Sequence, residues 1–338
     1  MPKGFFTQGA VVLTERALTR DVIEAALRPF KVVKFQPAGG GSGSKWMSGA
    51  ASWTVAYRPE ANGSVTVDVV DAPWPDDMGD PSTETGKDLF VAWSMGFMGP
   101  FTFPGNLERA AHFASAFDRE KAAEAATRHK AFVRVRSTYI SGADDDAPVI
   151  PQDYEPLPEL KFVTSVARSL VKAPGALAYF NPGGETLLTA ADLDEILAEC
   201  KQSNLPPLPL WTETRMTKAD DDPAWVLADV CGMGQLDVDD QEACFRADKC
   251  DPGEVLNFLR NIALYLLQNG PVIKGGHTTD GPGGVWRAVE TEEAILSPPR
   301  PTLRWFPNDG DTPPAEFLKG RKKPAGFFGR LRSLFGKS

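Results

Sequence analysis

The chain has 338 residues, 42% hydrophobic and 24% charged, which suits one large or two ordinary soluble domains with a sizeable core. Its net charge is −9, yet Lys319 to Ser338 holds seven of the 36 lysines and arginines and none of the 45 acids, so residues 1–318 carry −16 (29 basic against 45 acidic groups), a balance that disfavours nucleic acid and favours a basic partner. No run approaches the ~20 apolar residues of a membrane-spanning helix, and the start MPKGFFTQGAVVLTERAL has no apolar signal run, which points to a cytoplasmic protein.

In chain order, AVVLTE (10–15) reads as a strand. Thr19 is placed to cap RDVIEAALRPF, whose Val22, Ile23, Ala26 and Leu27 share one helical face before Pro29 stops it. KVVKF (31–35) is a strand, and SWTVAYRPEANGSVTVDVV (52–70) alternates on both sides of Asn62-Gly63, a hairpin signal. Residues 71–105 are aromatic, Met-rich and broken by Pro and Gly; they read as loop or short helices over a sheet. Trp93, Met95 and Phe97 in that stretch are candidates for gripping a partner. Leu107 to His129 reads as one Ala- and Glu-rich helix, and KAFVRVRSTYI (130–140) as a strand.

The second half is again mixed. Phe162 to Ala173 reads as a helix and GALAYFNP (175–182) as a strand, and Thr189 with Asp192 resembles a capping box. LPLWTETRM and WVLADVCGMGQLDVDD look like strands. Asp251, Pro252 and Gly270 bracket a helix of about five turns, and VWRAVET and TLRWF close the set. The expected fold is α+β: mostly antiparallel sheets covered by helices, in two similar-sized halves packed together. Residues 1–141 and 161–308 would be the halves, 142–160 an acidic, Pro-rich linker, and 309–338 a basic amphipathic tail.

Candidate chemistry is sparse. Cys200 shares an apolar helical face with Leu193, Ile196 and Leu197. Cys231, Cys244 and Cys250 form no CxxC pair and lack a histidine at ligand spacing, so no metal or cofactor is expected. GGGSGSKW (39–46) fails the Walker pattern because Ser44 separates Gly43 from Lys45. LDVDDQE (236–242) gathers Asp237, Asp239, Asp240 and Glu242, but an EF-hand needs glycine where Glu242 stands. A solvated strand end is the simple reading; Asp237, Asp239 and Glu242 as a dock for a basic partner is the sharper one. IKGGHTTDGPGGVW (273–286) carries His277, and its glycines suit a shaped hairpin turn. Gly276, His277, Thr278 and Asp280 are its candidates for touching a partner, and an enzyme cleft near His277 is an alternative.

Five stretches, taken together, carry a resemblance: DAPWP (71–75), HKAFVRV (129–135), LPLWTE (208–213), GMGQLDVDDQE (232–242) and IKGGHTTD (273–280). In order and spacing they resemble the bacterial domain-of-unknown-function family numbered 4261, over roughly residues 8–308. Relatives tend to read Asp-Gly-Asp-Thr in the last motif; here Gly275 and His277 replace the two acids while Gly276 and Thr278 are retained, which weakens a metal or acid–base role for this loop. The resemblance implies an α+β fold and bacterial origin and brings no established reaction. Gene neighbourhoods of secreted toxins, in which relatives occur, would suit an immunity or accessory protein.

The tail stands apart. Phe327, Phe328, Leu331, Leu334 and Phe335 alternate with Arg330, Arg332 and Lys337, as in a short basic amphipathic segment that makes weak contact with a membrane surface. The leading expectation is a non-enzymatic, acidic protein-binding module, in its most concrete form an immunity protein that neutralises a basic toxin domain. The alternatives are the enzyme near His277 and a membrane-surface adaptor working through the tail.

Overall fold

A computed structural model of the chain describes residues 3–38, 44–49, 51–116, 119–142 and 148–318. Its elements run β1 (Gln8–Thr14), α1 (Arg20–Leu27), β2 (Val32–Gln36), α2 (Lys45–Ser48), β3 (Ala51–Ala56), β4 (Ser64–Val70), α3 (Glu84–Ser94), α4 (Asn106–Ala116), α5 (Glu120–Arg128) and β5 (Ala131–Thr138). Then follow α6 (Pro156–Val171), β6 (Ala176–Asn181), β7 (Thr186–Leu188), α7 (Ala190–Gln202), β8 (Glu213–Lys218), β9 (Trp225–Cys231), β10 (Asp240–Arg246), α8 (Pro252–Asn269), β11 (Thr278–Gly281), β12 (Gly284–Thr291), β13 (Thr302–Pro307) and α9 (Ala315–Leu318). The fold is α+β, as the alternation of short strands and amphipathic helices implied.

The chain divides into two units, but not at the acidic, Pro-rich stretch. One unit runs up to Glu213 and takes in Gly232–Asp237; the other holds Thr214–Cys231 and the residues from Val238 on. The expected boundary at 142–160 is corrected by strand pairing. β6, which follows that stretch, hydrogen-bonds antiparallel to β1, with Val12 opposite Tyr179. Local composition cannot reveal a pairing made so far along the chain.

The first unit is built on a seven-stranded sheet in the order β2-β3-β4-β5-β1-β6-β7, antiparallel throughout. Side chains alternate across it. Val11, Leu13, Phe132, Ala178 and Phe180 point to one face and form a core with Leu89 and Trp93 of α3, Ala110 and Ala114 of α4, and Ala122 and Ala125 of α5. The intervening residues face α6, whose Leu160, Val163, Ala167 and Leu170 are wholly buried. Each such side chain contributes about 1.5–3 kcal/mol by leaving water.

Three local expectations need correction. The single helix read over Leu107 to His129 is two, α4 and α5, packed on each other; two short helices lay both alanine-rich stretches on the same sheet. The β3–β4 connection is longer than a two-residue hairpin: Pro59–Ala61 forms a 3-10 turn and Asn62, at φ 58°, donates its amide to Tyr139 O. Thr19 does precede α1 with extended backbone, but its side chain makes no capping bond. The Thr189–Asp192 capping box is present in both directions.

The second unit holds a six-stranded sheet, β11-β12-β13-β10-β9-β8, whose β10–β13 pair is parallel while the other registered pairs are antiparallel. α8 covers one face. Asp251 caps it through Glu254 N–H, Pro252 opens it, and Gly270 closes it with φ 76°. Phe258 of α8 packs on Trp286 and Trp305 with ring centroids 5.2 and 5.4 Å away, and the Trp305 indole donates to Gln241 Oε1 at 3.0 Å.

Candidate functional site

The motif residues of the first unit lock the backbone. Trp74 of DAPWP donates its backbone N–H to His129 Nε2 at 2.8 Å and its indole N–H to Asn106 Oδ1 at 3.0 Å. Burial pushes the His129 imidazole below its usual pKa, which suits a neutral ring with Nε2 as acceptor. Trp211 of LPLWTE runs against two glycines: a Cβ at Gly184 would lie 1.8 Å from Trp211 O, and one at Gly232 2.2 Å from it. Gln235 Nε2 then donates to Trp211 O and Gly232 O, and Asn181 Nδ2 to Gln235 Oε1. These motifs therefore meet in pairs as structural joints.

On the sheet face that carries Phe132, β5 continues with Arg134 and Arg136, both buried, opposite Asp68 of β4. Arg134 and Arg136 both bond the one carboxylate, Arg136 Nη2 at 2.7 Å. Burial works against the Asp68 charge, but the two guanidiniums outweigh it and hold its carboxyl below the normal range. Arg136 pays the imbalance: burial and Arg134 push its pKa down to about 9, and its Nε has no acceptor. Both arginines also donate to Phe97 O, at 3.2 and 2.5 Å, and the Arg136 guanidinium lies 4.0 Å from the Phe6 ring. Above this cluster Phe5 stacks on Phe97 with centroids 5.7 Å apart. Phe5 is 41% exposed and Met95, two residues before Phe97, 60%. Trp93, by contrast, is buried in the core against Trp74.

The opposite face holds a polar cluster. Glu159, in the first turn of α6, is fully buried and accepts from Thr7 Oγ1 at 2.9 Å and Tyr154 Oη at 2.7 Å. Burial pushes its carboxyl above the usual range, while the hydroxyls of Tyr154, Thr7, Ser137 and Tyr139 oppose the rise. Burial and then Glu159 raise the Tyr139 and Tyr154 phenols. Lys3 reaches in from the segment before β1: its Nζ is 2.5 Å from Asp237 Oδ1 and 4.6 Å from the Tyr154 ring centroid. Burial lowers its pKa against the opposing pull of Asp237 and Glu159. Lys3 and Phe5 belong to one short arm, so the arm touches both Asp237 and Phe97, two positions singled out from the sequence.

In the second unit Asp237's neighbours in the acidic motif turn inward. Asp239 is exposed, but Asp240 and Glu242 are buried, which corrects the solvated strand-end reading and takes Glu242 off the surface. They join a closed network on the sheet face away from α8. Asp229 pairs with Arg215 and Arg300, Asp240 with Arg300, and Glu242 with Arg304 at 2.9 Å. Glu242 also accepts from Ile295 N–H and Thr302 Oγ1, and Arg304 donates to Phe317 O and Glu293 O. Burial and then Asp229 push the Glu242 carboxyl up. Sequence reasoning missed the arginines because charges at every second strand position look like a solvent face; nothing local marks them as buried.

His277, Thr278 and Asp280 are exposed, at the start of the β11–β12 hairpin. His277 N–H donates to Lys274 O, and Gly276, at φ 90°, passes its N–H to Ala288 O. The stretch is a shaped turn at the edge strand of this sheet. Phe327, Phe328, Arg330, Leu331, Arg332, Leu334 and Phe335 lie outside the described residues. Among the described residues no group of three or more His, Cys, Asp or Glu is placed to hold a metal ion, and no helix is long and apolar enough to cross a membrane.

Asp229, Asp240, Glu242, Arg300 and Arg304 all fall in one continuous stretch of sequence. Residues 229–306 match the family model described as Domain of unknown function (DUF4261). This is the family the motifs resemble. The DUF4261 match spans β9 to β13 and contains GMGQLDVDDQE and IKGGHTTD, while the three earlier motifs lie before it. No curated protein and no solved structure matches the chain.

Proposed function

We propose that the chain is a non-enzymatic binding module for a basic protein, docking through the Phe5, Met95 and Phe97 surface of the first unit. The observation that carries this reading is the exposed Phe5 and Met95 beside a half-buried Phe97, all held over a buried charge cluster. Phe97 O is fixed by two guanidiniums, so the anchor is preorganised and loses little freedom on binding. The −16 balance of residues 1–318 adds long-range attraction for a positive partner. Asp237, exposed and part of the same unit, supplies a carboxylate for a basic partner. A toxin domain neutralised by an immunity protein is the most concrete form of this reading.

The test is affinity capture with the full chain and with a Met95→Asp, Phe97→Ala double variant, at low and at raised salt. One basic protein should be retained by the unsubstituted chain, released by salt, and lost with the variant while the variant stays folded. Equal retention by both chains would rule the surface out.

A further inference from the structure

We propose that residues 319–338 dock on the open face of β12 in their own unit, where Val285, Val289 and Phe306 form an apolar strip on an acidic surface. The inference concerns the second unit and does not rest on the aromatic surface of the first. Strand register divides β12 between two faces. Trp286 and Ala288 look toward α8, since Trp286 packs on Phe258 and Ala288 stands opposite Trp305, which packs there too. Val285, Arg287 and Val289 therefore look the other way, beside Thr278 and Asp280 of β11 and Arg304 and Phe306 of β13. That face is closed over Arg304 and open over β12: Val285 is 43% exposed, Arg287, Thr278 and Asp280 are exposed, and Val289 and Phe306 are half-buried.

Where the described chain ends selects the occupant. Phe317 of α9 belongs to the core cluster on which Phe306 packs, and its carbonyl accepts from Arg304 Nη1 at 3.2 Å. Arg304 stands directly opposite Val289. The chain thus leaves α9 beside the open strip, and Leu318, the last described residue, is 51% exposed. Phe327 comes nine positions later, at most ~30 Å of extended chain, while the eight residues of β12 span about 27 Å. The apolar residues from Phe327 to Phe335 therefore reach the whole strip.

Charge selects the same occupant. The described part of the second unit, Thr214–Cys231 and residues 238–318, carries −8 (9 basic against 17 acidic groups), while residues 319–338 hold seven basic groups and no acid. Carboxylates gather where the tail begins. Glu316 of α9 accepts from Asp220 N–H at 3.2 Å, and Asp309 and Asp311 precede α9, with Lys249 bonded to both. Asp280 adds a carboxylate on the strip itself, against the opposing charge of Arg287. A tethered segment meets its site at an effective concentration of the order of mM, so a weak contact is enough to hold it there. Exposed valines alone are ordinary; here they lie beside the origin of an apolar, basic segment that nearly neutralises the unit.

The experiment follows the fluorescence anisotropy of a labelled peptide of residues 319–338 at low salt. It is added to the unsubstituted full chain and to a full chain carrying Phe327→Ser, Phe328→Ser and Leu331→Ser. The substituted chain should bind the peptide at least ~10-fold more tightly, because the unsubstituted chain's own tail competes for the face at its effective concentration. Adding Val285→Lys and Asp280→Lys to the substituted chain should abolish binding, and raised salt should weaken it. Both positions are exposed, so the fold should persist, checked by circular dichroism. Arg287→Glu, also exposed, should tighten binding, an effect that lost stability would not produce. Equal affinity for the two chains, no binding to either, or binding that survives the β12 substitutions overturns the proposal. Vesicles of phosphatidylglycerol and phosphatidylcholine offer the competing occupant: if the unsubstituted chain binds them as tightly as the free peptide does, its tail is not held and the proposal falls.

Discussion

The two units each bury a charge cluster on a sheet face, and the clusters differ in how they close. In the second unit three arginines, Arg215, Arg300 and Arg304, meet three carboxylates, Asp229, Asp240 and Glu242, and backbone carbonyls take further guanidinium donors. In the first unit Arg134 and Arg136 share Asp68 alone, and Arg136 Nε is left without an acceptor. A balanced, fully bonded cluster accounts for its own residues and fixes the register of four strands. An unbalanced one is held in place by something else, here the Phe97 carbonyl and the Phe6 ring, and so transmits its geometry to the surface above.

The comparison can be broken first at Asp229. Asp229→Ala strands two buried guanidiniums and should cost about 3–5 kcal/mol, read as loss of the second unit's urea transition. A sharper pairing sets Arg304→Met beside Arg136→Met. The first leaves Glu242 buried without its cation and should again cost about 3 kcal/mol or more. The second removes the surplus charge, keeps the Arg134–Asp68 pair, and should stay within about 1 kcal/mol; equal losses in urea unfolding would erase the distinction between the clusters.

Glu159 tests the polar cluster of the first unit through pH. Its folded-state pKa lies above the ordinary value, so its contribution to stability is fullest below that ordinary value and is lost as pH rises through the raised one. Glu159→Gln should flatten that decline, measured as the unfolding midpoint between mildly acidic and neutral pH. His129 has the opposite sign. Its depressed pKa gives stability that is present above the ordinary imidazole range and lost as pH falls through the lowered value. The smallest effect is expected at His277: exposed, with only local bonds, it should tolerate alanine within about 0.5 kcal/mol.

Much of the fold was legible in short windows. The α8 boundaries followed from Asp251, Pro252 and Gly270, and the α7 capping box from Thr189 and Asp192. Strands β1, β5, β6, β12 and β13 followed from their β-rich runs. The site was less legible. Met95 and Phe97 stood out by composition, and Met95 is exposed and Phe97 half-buried; Trp93, chosen on the same grounds, is core because the α3 turn carries it beneath the sheet. Asp237 and Glu242 looked alike in LDVDDQE, yet one faces solvent and the other is sealed against Arg304. Lys3, Tyr154 and Glu159 gave no joint signal at all.

What the sequence by itself determined is whatever depends on neighbours a few residues apart: helix faces at 3.6, strand alternation at 2, caps, turns and the bulk charge. What only the tertiary structure decided is which charge meets which. Asp68 finds Arg134 across 66 positions and Lys3 finds Asp237 across 234, through strand order and register that no local window contains. An ion pair is set by distance in space, and the chain fixes that distance only once its strands have chosen their partners.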